Sequence, residues 1–237
     1  MQICNTVSRL ALLSVLLPFL GHAQEANQLS DKDKAAGWRL LFDGKTTQGW
    51  RAFKKTTFPA QNWTVEDGWL RCMGKGGGDI ITEDQFEEFE LEWEWKLSPG
   101  GNSGVKYFVV ESRGPVGHEY QIIDDARHPD GQQAEGKRVT AAFYDVLKTQ
   151  VPTPLKEPGQ VNGSRILVKG QHVEHWLNGV KVLEYELGSK EVLEAVAHSK
   201  FKNTRGFGTR MKGHILLQDH NDPVWYRNIR IRDLSAR

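Results

Sequence analysis

The chain has 237 residues, 38% of them hydrophobic and 26% charged, with a formal net charge of +1. That length suits one all-β domain, and a near-neutral chain without a basic stripe has little electrostatic pull on nucleic acid. The only two cysteines, Cys4 and Cys72, exclude a disulfide framework and a cysteine-rich zinc site.

The first segment reads as a processing signal. Arg9 supplies one positive charge, Leu10 to Leu20 is apolar apart from Ser14 and Pro18, and Gly21-His22-Ala23 follows with small residues at the cleavage positions. This predicts a secretory signal peptide over residues 1–23, and hence an exported protein, periplasmic or extracellular. The apolar run is far shorter than the roughly 20 residues needed to span a bilayer. No later segment matches it, so no membrane insertion is expected after processing. Cys4 precedes the apolar run and cannot serve as a lipid attachment site. Cleavage after Ala23 leaves Cys72 alone, read as a small buried hydrophobe. It also removes Arg9 and no acid, so the net charge falls to zero.

Residues 24–36 form a lead-in, with one short helical turn expected at 31–36. Strand signals dominate after Gly37. Residues 89–97 read F-E-L-E-W-E-W-K-L, with Phe89, Leu91, Trp93, Trp95 and Leu97 on one face and Glu90, Glu92, Glu94 and Lys96 on the other. That period of two marks a strand with one buried face. Further strands are expected at 104–111, 119–123, 139–146, 166–169 and 172–177. Asn178-Gly179 then predicts a type I′ turn into a strand at 180–187. Residues 214–218 and 225–231 supply the last two, and 190–197 a second helical turn. Many short strands with Gly-rich connections argue for a β-sandwich or jelly roll. The long loops at 74–78, 98–104, 113–117, 126–138 and 151–163 are where binding is expected on such a scaffold.

The most informative stretch for chemistry is His118-Glu119-Tyr120-Gln121-Ile122-Ile123-Asp124-Asp125. Alternation sends Glu119 and Gln121 to a polar face and Tyr120 and Ile122 to the core. A β-bulge near Ile123 would bring Asp124 onto the same polar face. The two carboxyls would then flank the Gln121 amide, and two carboxyls across a sugar bond are the usual equipment of glycoside hydrolysis; the plainer alternative is a solvated edge strand with Asp124-Asp125 opening a turn. A second stretch places His214, Leu216, Gln218 and His220 on one face, so an amide and an imidazole able to move a proton near neutral pH point the same way. Gly100-Gly101-Asn102-Ser103-Gly104, leading to Lys106, suits a backbone that is approached closely, or an ordinary tight turn. His118, His128, Asp124 and Asp125 lack zinc-type spacing, so no metal or other cofactor is expected. An oxygen-ligated calcium ion in the acidic loop is open but unsupported.

Taken together, these stretches resemble the DUF1080, or 3-keto-disaccharide hydrolase, family. The motifs are Gly37-Trp38-x-Leu40-Leu41-Phe42-Asp43-Gly44-Lys45-Thr46 with Gly49-Trp50, Trp63-x-Val65-x-Asp67-Gly68, Glu94-Trp95-Lys96 and Gly101-Asn102-Ser103-Gly104. They continue with Glu119-Tyr120-Gln121-Ile122-x-Asp124-Asp125, His175-Trp176-Leu177-Asn178-Gly179, Leu217-Gln218-Asp219-His220 and Trp225-Tyr226-Arg227-Asn228-Ile229. They stand in the family's order across residues 37–237. The sequence departs where the family often has a Gly after the histidine and a Phe before Arg-Asn-Ile; here Asn221 and Tyr226 stand there. The resemblance implies a concanavalin A-like jelly-roll β-sandwich of two antiparallel sheets and action on sugars carrying a ketone at C3.

A C3 ketone acidifies the hydrogen on C2, so the C1 leaving group can depart by elimination and water can add afterwards. This needs a base, an acid and a group for the enolate oxygen. Glu119 and Asp124 are the candidate base and acid, with His220 and Lys106 for the enolate oxygen. Asn102, Gln121, Gln218, Tyr144 and His175 are candidates for holding the sugar. The same jelly roll also serves carbohydrate-binding modules and retaining glycosidases, and a fold alone does not choose among them.

Overall fold

The computed structural model describes residues 25–235; the leader expected over residues 1–23 lies outside them. The strand Phe89–Leu97 forms as its alternation predicts: Phe89, Leu91, Trp93, Trp95 and Leu97 are all buried. Its outward acids meet the arginines of the closing strand, with ion pairs Glu92–Arg230 at 2.6 Å and Glu94–Arg227 at 2.7 Å, and Glu90 between Arg232 and Arg165. Inside, the Trp95 indole donates to Ser164 Oγ at 2.8 Å, so the large ring is buried without an orphaned N–H.

In chain order the strands are β1 Trp38–Leu40, β2 Trp50–Ala52, β3 Trp63–Glu66, β4 Trp69–Met73, β5 Ile80–Phe86, β6 Phe89–Leu97, β7 Asn102–Val109 and β8 His118–Ile123. They continue with β9 Asn162–Lys169, β10 His172–Leu177, β11 Val180–Glu186, β12 Gly213–Leu217 and β13 Pro223–Asp233; the helices are α1 Asp31–Ala35 and α2 Lys190–Ala197. One sheet has eight strands in the order β11-β10-β9-β6-β13-β4-β3, with β1 also on β13; the other has five, β2-β5-β12-β7-β8. All pairings are antiparallel. The core lies between the sheets, a jelly-roll sandwich as expected. Among the described residues no helix is long and apolar enough to cross a membrane.

Both helical turns form, each opened by a serine cap, Ser30 and Ser189. The hairpin at Asn178-Gly179 has both residues in the left-handed region, φ 47° and 82°, as a type I′ turn requires. The strand expected at 139–146 is not regular. That segment follows β8 through Ala141 N–H to Gln121 O and Tyr144 N–H to Glu119 O. Left-handed residues Ala141 and Asp145, φ 67° and 63°, break the ladder. It covers the outer edge of the five-stranded sheet and becomes a wall of the cleft described next. The five strands before Phe89 show no clear alternation: β1 to β4 are three to five residues long, and β5 buries Ile80, Ile81 and Thr82 in a row and then exposes Glu83, Asp84 and Gln85.

Candidate active site

Antiparallel pairing sets Lys106 opposite Glu119 and Gly104 opposite Gln121. Because side chains alternate, Asn102, Lys106, Glu119 and Gln121 share the outer face of the five-stranded sheet. Gln218 and His220 join them just beyond β12; Tyr144 comes from the edge-covering segment, and Lys200 and Phe201 from the turn after α2. Pro115 to Gly117 close the remaining side, and the cleft holds about 290 Å³.

Glu119 is 5% exposed. Its side chain lies back over Gly104, where a Cβ would sit 2.5 Å from Oε1, so the glycine is the seat of the carboxyl. Lys106 Nζ stands 3.8 Å from Glu119 Oε2 and donates to Pro115 O at 3.3 Å. Burial raises the Glu119 pKa above the usual carboxylate range, against the pull of the Lys106 and Lys200 charges. Asn102 Oδ1 and Gln218 Oε1 are buried here without a donor among the described residues. Asn102 itself is only 3% exposed and is fixed by its backbone N–H to Asp222 Oδ2 at 3.0 Å. Buried acceptors without donors are costly unless a ligand or water supplies the hydrogen bond.

The wall facing Glu119 is tied together by Asp130 and Asp145. The Tyr144 hydroxyl donates to Asp130 Oδ2 at 2.7 Å, and Arg138 bridges Asp130 and Asp145 at 2.6 and 2.7 Å. Burial and the Asp130 carboxylate hold the Tyr144 phenol protonated well above its ordinary range. Asp145 also accepts the Lys200 backbone N–H at 2.8 Å. The Lys200 ammonium lies 4.0 Å from the Tyr144 ring centroid and 5.1 Å from that of Phe201. Desolvation lowers its pKa, opposed by the carboxyls of Glu119 and Asp145.

His220 stands on the rim, its side chain 46% exposed and its Nδ1 3.8 Å from Asp222 Oδ2. Asp219 anchors that rim. Its carboxylate accepts from Asn62 Nδ2 and Gly78 N at 2.9 Å, from Asn221 N at 3.0 Å and from Cys72 Sγ at 3.4 Å. Cys72 is fully buried and its thiol is pushed up to about 12 by burial, the bland role expected of it. Asn221 has φ 65°, so it occupies a position suited to the glycine the family often carries there. Tyr226 is explained too: its hydroxyl meets Ser103 Oγ at 2.7 Å, and Ser103 donates to Gln218 O, stiffening the floor from inside.

Two expected residues stand elsewhere. Asp124 is not on the polar face, because β8 runs without a bulge through Ile123. Its carboxylate accepts from Gly100 N at 2.8 Å, Ala126 N at 3.3 Å and Arg127 Nη1 at 3.1 Å. Burial opposes its charge, but these donors outweigh it and hold its pKa below the usual range. It closes a turn. His175 is fully buried between the sheets. Its Nδ1 donates to Ala141 O at 2.9 Å and its Nε2 accepts from the Tyr107 hydroxyl at 3.1 Å, with burial lowering its pKa to about 4. The possible metal set is scattered as well: His118 packs in the core between Phe143 and Phe207, and Asp125 accepts Thr140 N–H at 2.7 Å. His128, His220 and Asp222 do approach one another. His128 Nδ1, however, accepts the Asp130 N–H at 3.1 Å, which leaves the proton of the neutral ring on Nε2 and no lone pair for a metal.

Lys200 was not among the sequence-derived candidates. It follows a short helix in a turn with no periodicity, and only the contacts of Asp145 and Tyr144 bring it to the cleft. Asp79 was also missed. It precedes β5 on the same side of the sheet, accepts Asp219 N–H at 2.9 Å, and has its pKa raised by burial. A larger groove, about 540 Å³, lies across the eight-stranded sheet and is lined by Glu92, Glu94, Arg165, Trp176 and Arg230. Its sheet acids Glu92 and Glu94 are already paired with Arg230 and Arg227, whereas the smaller cleft holds a buried carboxyl that is only loosely paired.

A jelly-roll sandwich with a buried carboxyl and free amides on one sheet is a carbohydrate-site architecture. The chain belongs to the family described as the 3-keto-alpha-glucoside-1,2-lyase-like domain, which matches residues 37–232. It is 37% identical to a Bacteroides thetaiotaomicron protein named 3-keto-disaccharide hydrolase, over 90% of this chain and 84% of that one. Among solved structures, a candidate glycosyl hydrolase of Parabacteroides distasonis superposes with a TM-score of 0.80 at 33% identity, covering 89% of this chain and all of its own. A second from the same organism gives 0.66 at 28% identity, covering 83% and 99%.

Proposed function

We propose that this protein is an exported enzyme that cleaves the glycosidic bond of 3-keto-glycosides by removing the C2 proton, expelling the C1 substituent and then adding water. The observation that carries it is Glu119, a buried carboxyl of raised pKa seated on a glycine beside Lys106. Such a group suits a general base working near neutral pH. The names of the family and of the Bacteroides relative support the substrate class, and the 1,2-lyase of the family description supports elimination.

In this reading the C3 ketone makes the C2 hydrogen acidic, and Glu119 accepts that proton. Lys106, 3.8 Å away, favours the ionised carboxylate against the effect of burial. Electrons from the C2–H bond form the enolate, which collapses to break the C1–O bond. His220 on the open rim hands a proton to the departing oxygen. Water then adds to the resulting double bond, and the net change equals hydrolysis. Asn102, Gln121 and Gln218 receive the sugar hydroxyls, which supply the donors that the buried carbonyl oxygens of Asn102 and Gln218 lack.

Glu119→Gln keeps the shape and removes the ionisable proton, so turnover of a 3-keto-glucoside should fall about 10²–10⁴-fold with binding little changed. Deuterium at C2 should give a primary isotope effect or wash out, and the unoxidised parent glucoside should not be cleaved. Full activity in Glu119→Gln, or no isotope sensitivity at C2, would end this assignment. Export is tested by the mature N-terminus: it should begin at Gln24, and a secreted form retaining Met1 would refute the leader.

A further inference from the structure

Two lysines reach this cleft, and their surroundings differ. Lys106 is committed: it is buried, pairs with Glu119 and donates to Pro115 O. Lys200 is not. Among the described residues its ammonium has no carboxylate within 4 Å and no hydrogen-bond acceptor; what it touches are the faces of Tyr144 and Phe201. A ring face favours the protonated ammonium while leaving its donors free. The position is also built rather than accidental. The Lys200 backbone is tied to Asp145, which Arg138 joins to Asp130 and so to the Tyr144 hydroxyl. Phe201 stacks on Phe207 at 4.1 Å with the planes 12° apart, which fixes the other side of the turn.

Resting on the 3-keto-glycoside reading above, we propose that Lys200 is the catalytic electrophile of the cleft: its ammonium holds the C3 oxygen of the substrate as negative charge develops there. The division of labour follows from the contacts. The base meets the C2 hydrogen and the cation meets the C3 oxygen, two different atoms that two groups on different walls can reach together. Glu119 rises from β8 on the floor, and Lys200 descends from the wall. If Lys106 did both jobs, its charge would be shared with the base it supports. Lys200 carries three free donors to the one place where charge appears only in the transition state, where a preorganised donor acts most strongly. No bond forms between lysine and sugar: the ammonium keeps its protons and the electron pair stays on the C3 oxygen until the C1–O bond breaks.

The test is steady-state turnover of methyl 3-keto-glucoside by the mature chain and its Lys200→Met and Lys200→Arg variants, with melting temperatures measured alongside. Lys200→Met should lower kcat about 10²–10³-fold with KM changed only a few-fold. Lys200→Arg should restore part of that loss, and both should melt like the wild type. Wild-type-like kcat in Lys200→Met, or a loss confined to KM, would overturn the proposal while leaving the Glu119 reading standing. Absence of turnover in the wild type would remove both. Borohydride added during turnover should leave the mass of the protein unchanged; a substrate adduct on Lys200 would replace the electrostatic role with a covalent one and so refute it.

Discussion

The outer faces of the two sheets are both rich in charge, yet they are organised in opposite ways. On the eight-stranded sheet each acid of β6 meets an arginine: Glu90 with Arg232 and Arg165, Glu92 with Arg230, Glu94 with Arg227. Guanidinium groups also cover the tryptophan faces, Arg165 at 4.1 Å over Trp176 and Arg227 at 4.3 Å over Trp69. On the five-stranded sheet a buried carboxyl is only loosely paired, two amide oxygens lack donors, and one ammonium rests on aromatic rings. A charge-paired face offers an ionic ligand little, even though the Arg71, Arg165 and Arg232 Nε atoms keep no partner among the described residues. An unsatisfied one costs stability and is retained where chemistry needs it.

The largest difference should come from removing matched carboxylates on the two faces. Glu119→Gln should lose about 10²–10⁴-fold in kcat with only a modest fall in melting temperature, because it removes a costly buried carboxyl but leaves the Lys106 ammonium without its counter-charge. Stability melts showing Glu119→Gln strongly destabilised would make that residue structural and break the comparison.

Acid should separate the regions next. His118 and His175 are buried neutral, with pKa values lowered to about 3 and about 4, against roughly 6.5 in an unfolded chain. Between those values the unfolded state binds more protons, so stability is lost as pH falls from about 6.5 toward 4 and below. For His175 alone this amounts to about 3 kcal/mol across the window. Glu119 works the other way, because its raised pKa lets the folded state keep a proton longer as pH rises. Denaturant melts from pH 7 to 4 should therefore decline, and decline less steeply in His175→Gln. An equal slope in the two proteins would refute the buried-histidine account.

Gly104→Ala sharpens the site further. The strand conformation at Gly104 needs no positive φ, so the added methyl acts only by pushing the Glu119 carboxyl off its seat. A displacement near 1 Å should cost about 10²-fold in kcat, with little change in melting. Retained activity would show that the carboxyl has room elsewhere in the cleft. The smallest effect belongs to the paired face. Glu92→Gln should leave kcat unaltered and cost at most about 1 kcal/mol, as expected of a partly exposed ion pair. A kinetic defect there would mean that the larger groove takes part in function.

Most of the cleft was legible because strand alternation is a local rule. Given that 119–123 is a strand, Glu119 and Gln121 must share a face; Asn102 lies in the expected loop at 98–104 and joins Lys106 on that face only because β7 already begins at Asn102. Asp124 escaped because one residue of register separates a floor position from a turn, and nothing in Ile123-Asp124-Asp125 says whether a bulge intervenes. His175 escaped for a different reason. It belongs to a family-like motif, yet Val173, His175 and Leu177 alternate inward and already mark it as a core position.

Local pattern therefore determined by itself the alternation of β6, the Asn178-Gly179 turn, the serine-capped helical turns and the polar face of β8. These depend on residues a few positions apart, and backbone sterics with one hydrophobic face suffice to set them. Tertiary structure decided the rest. Segment 139–147 covers an edge instead of forming a regular strand, because Ala141 and Asp145 turn left-handed as they follow β8. Gly104 matters only because Glu119 on the next strand lies over it. Lys200 enters the cleft only because Asp145, 55 residues earlier, accepts its backbone N–H. Such contacts join residues whose separation along the chain carries no period, so they exist only once the sheets have paired.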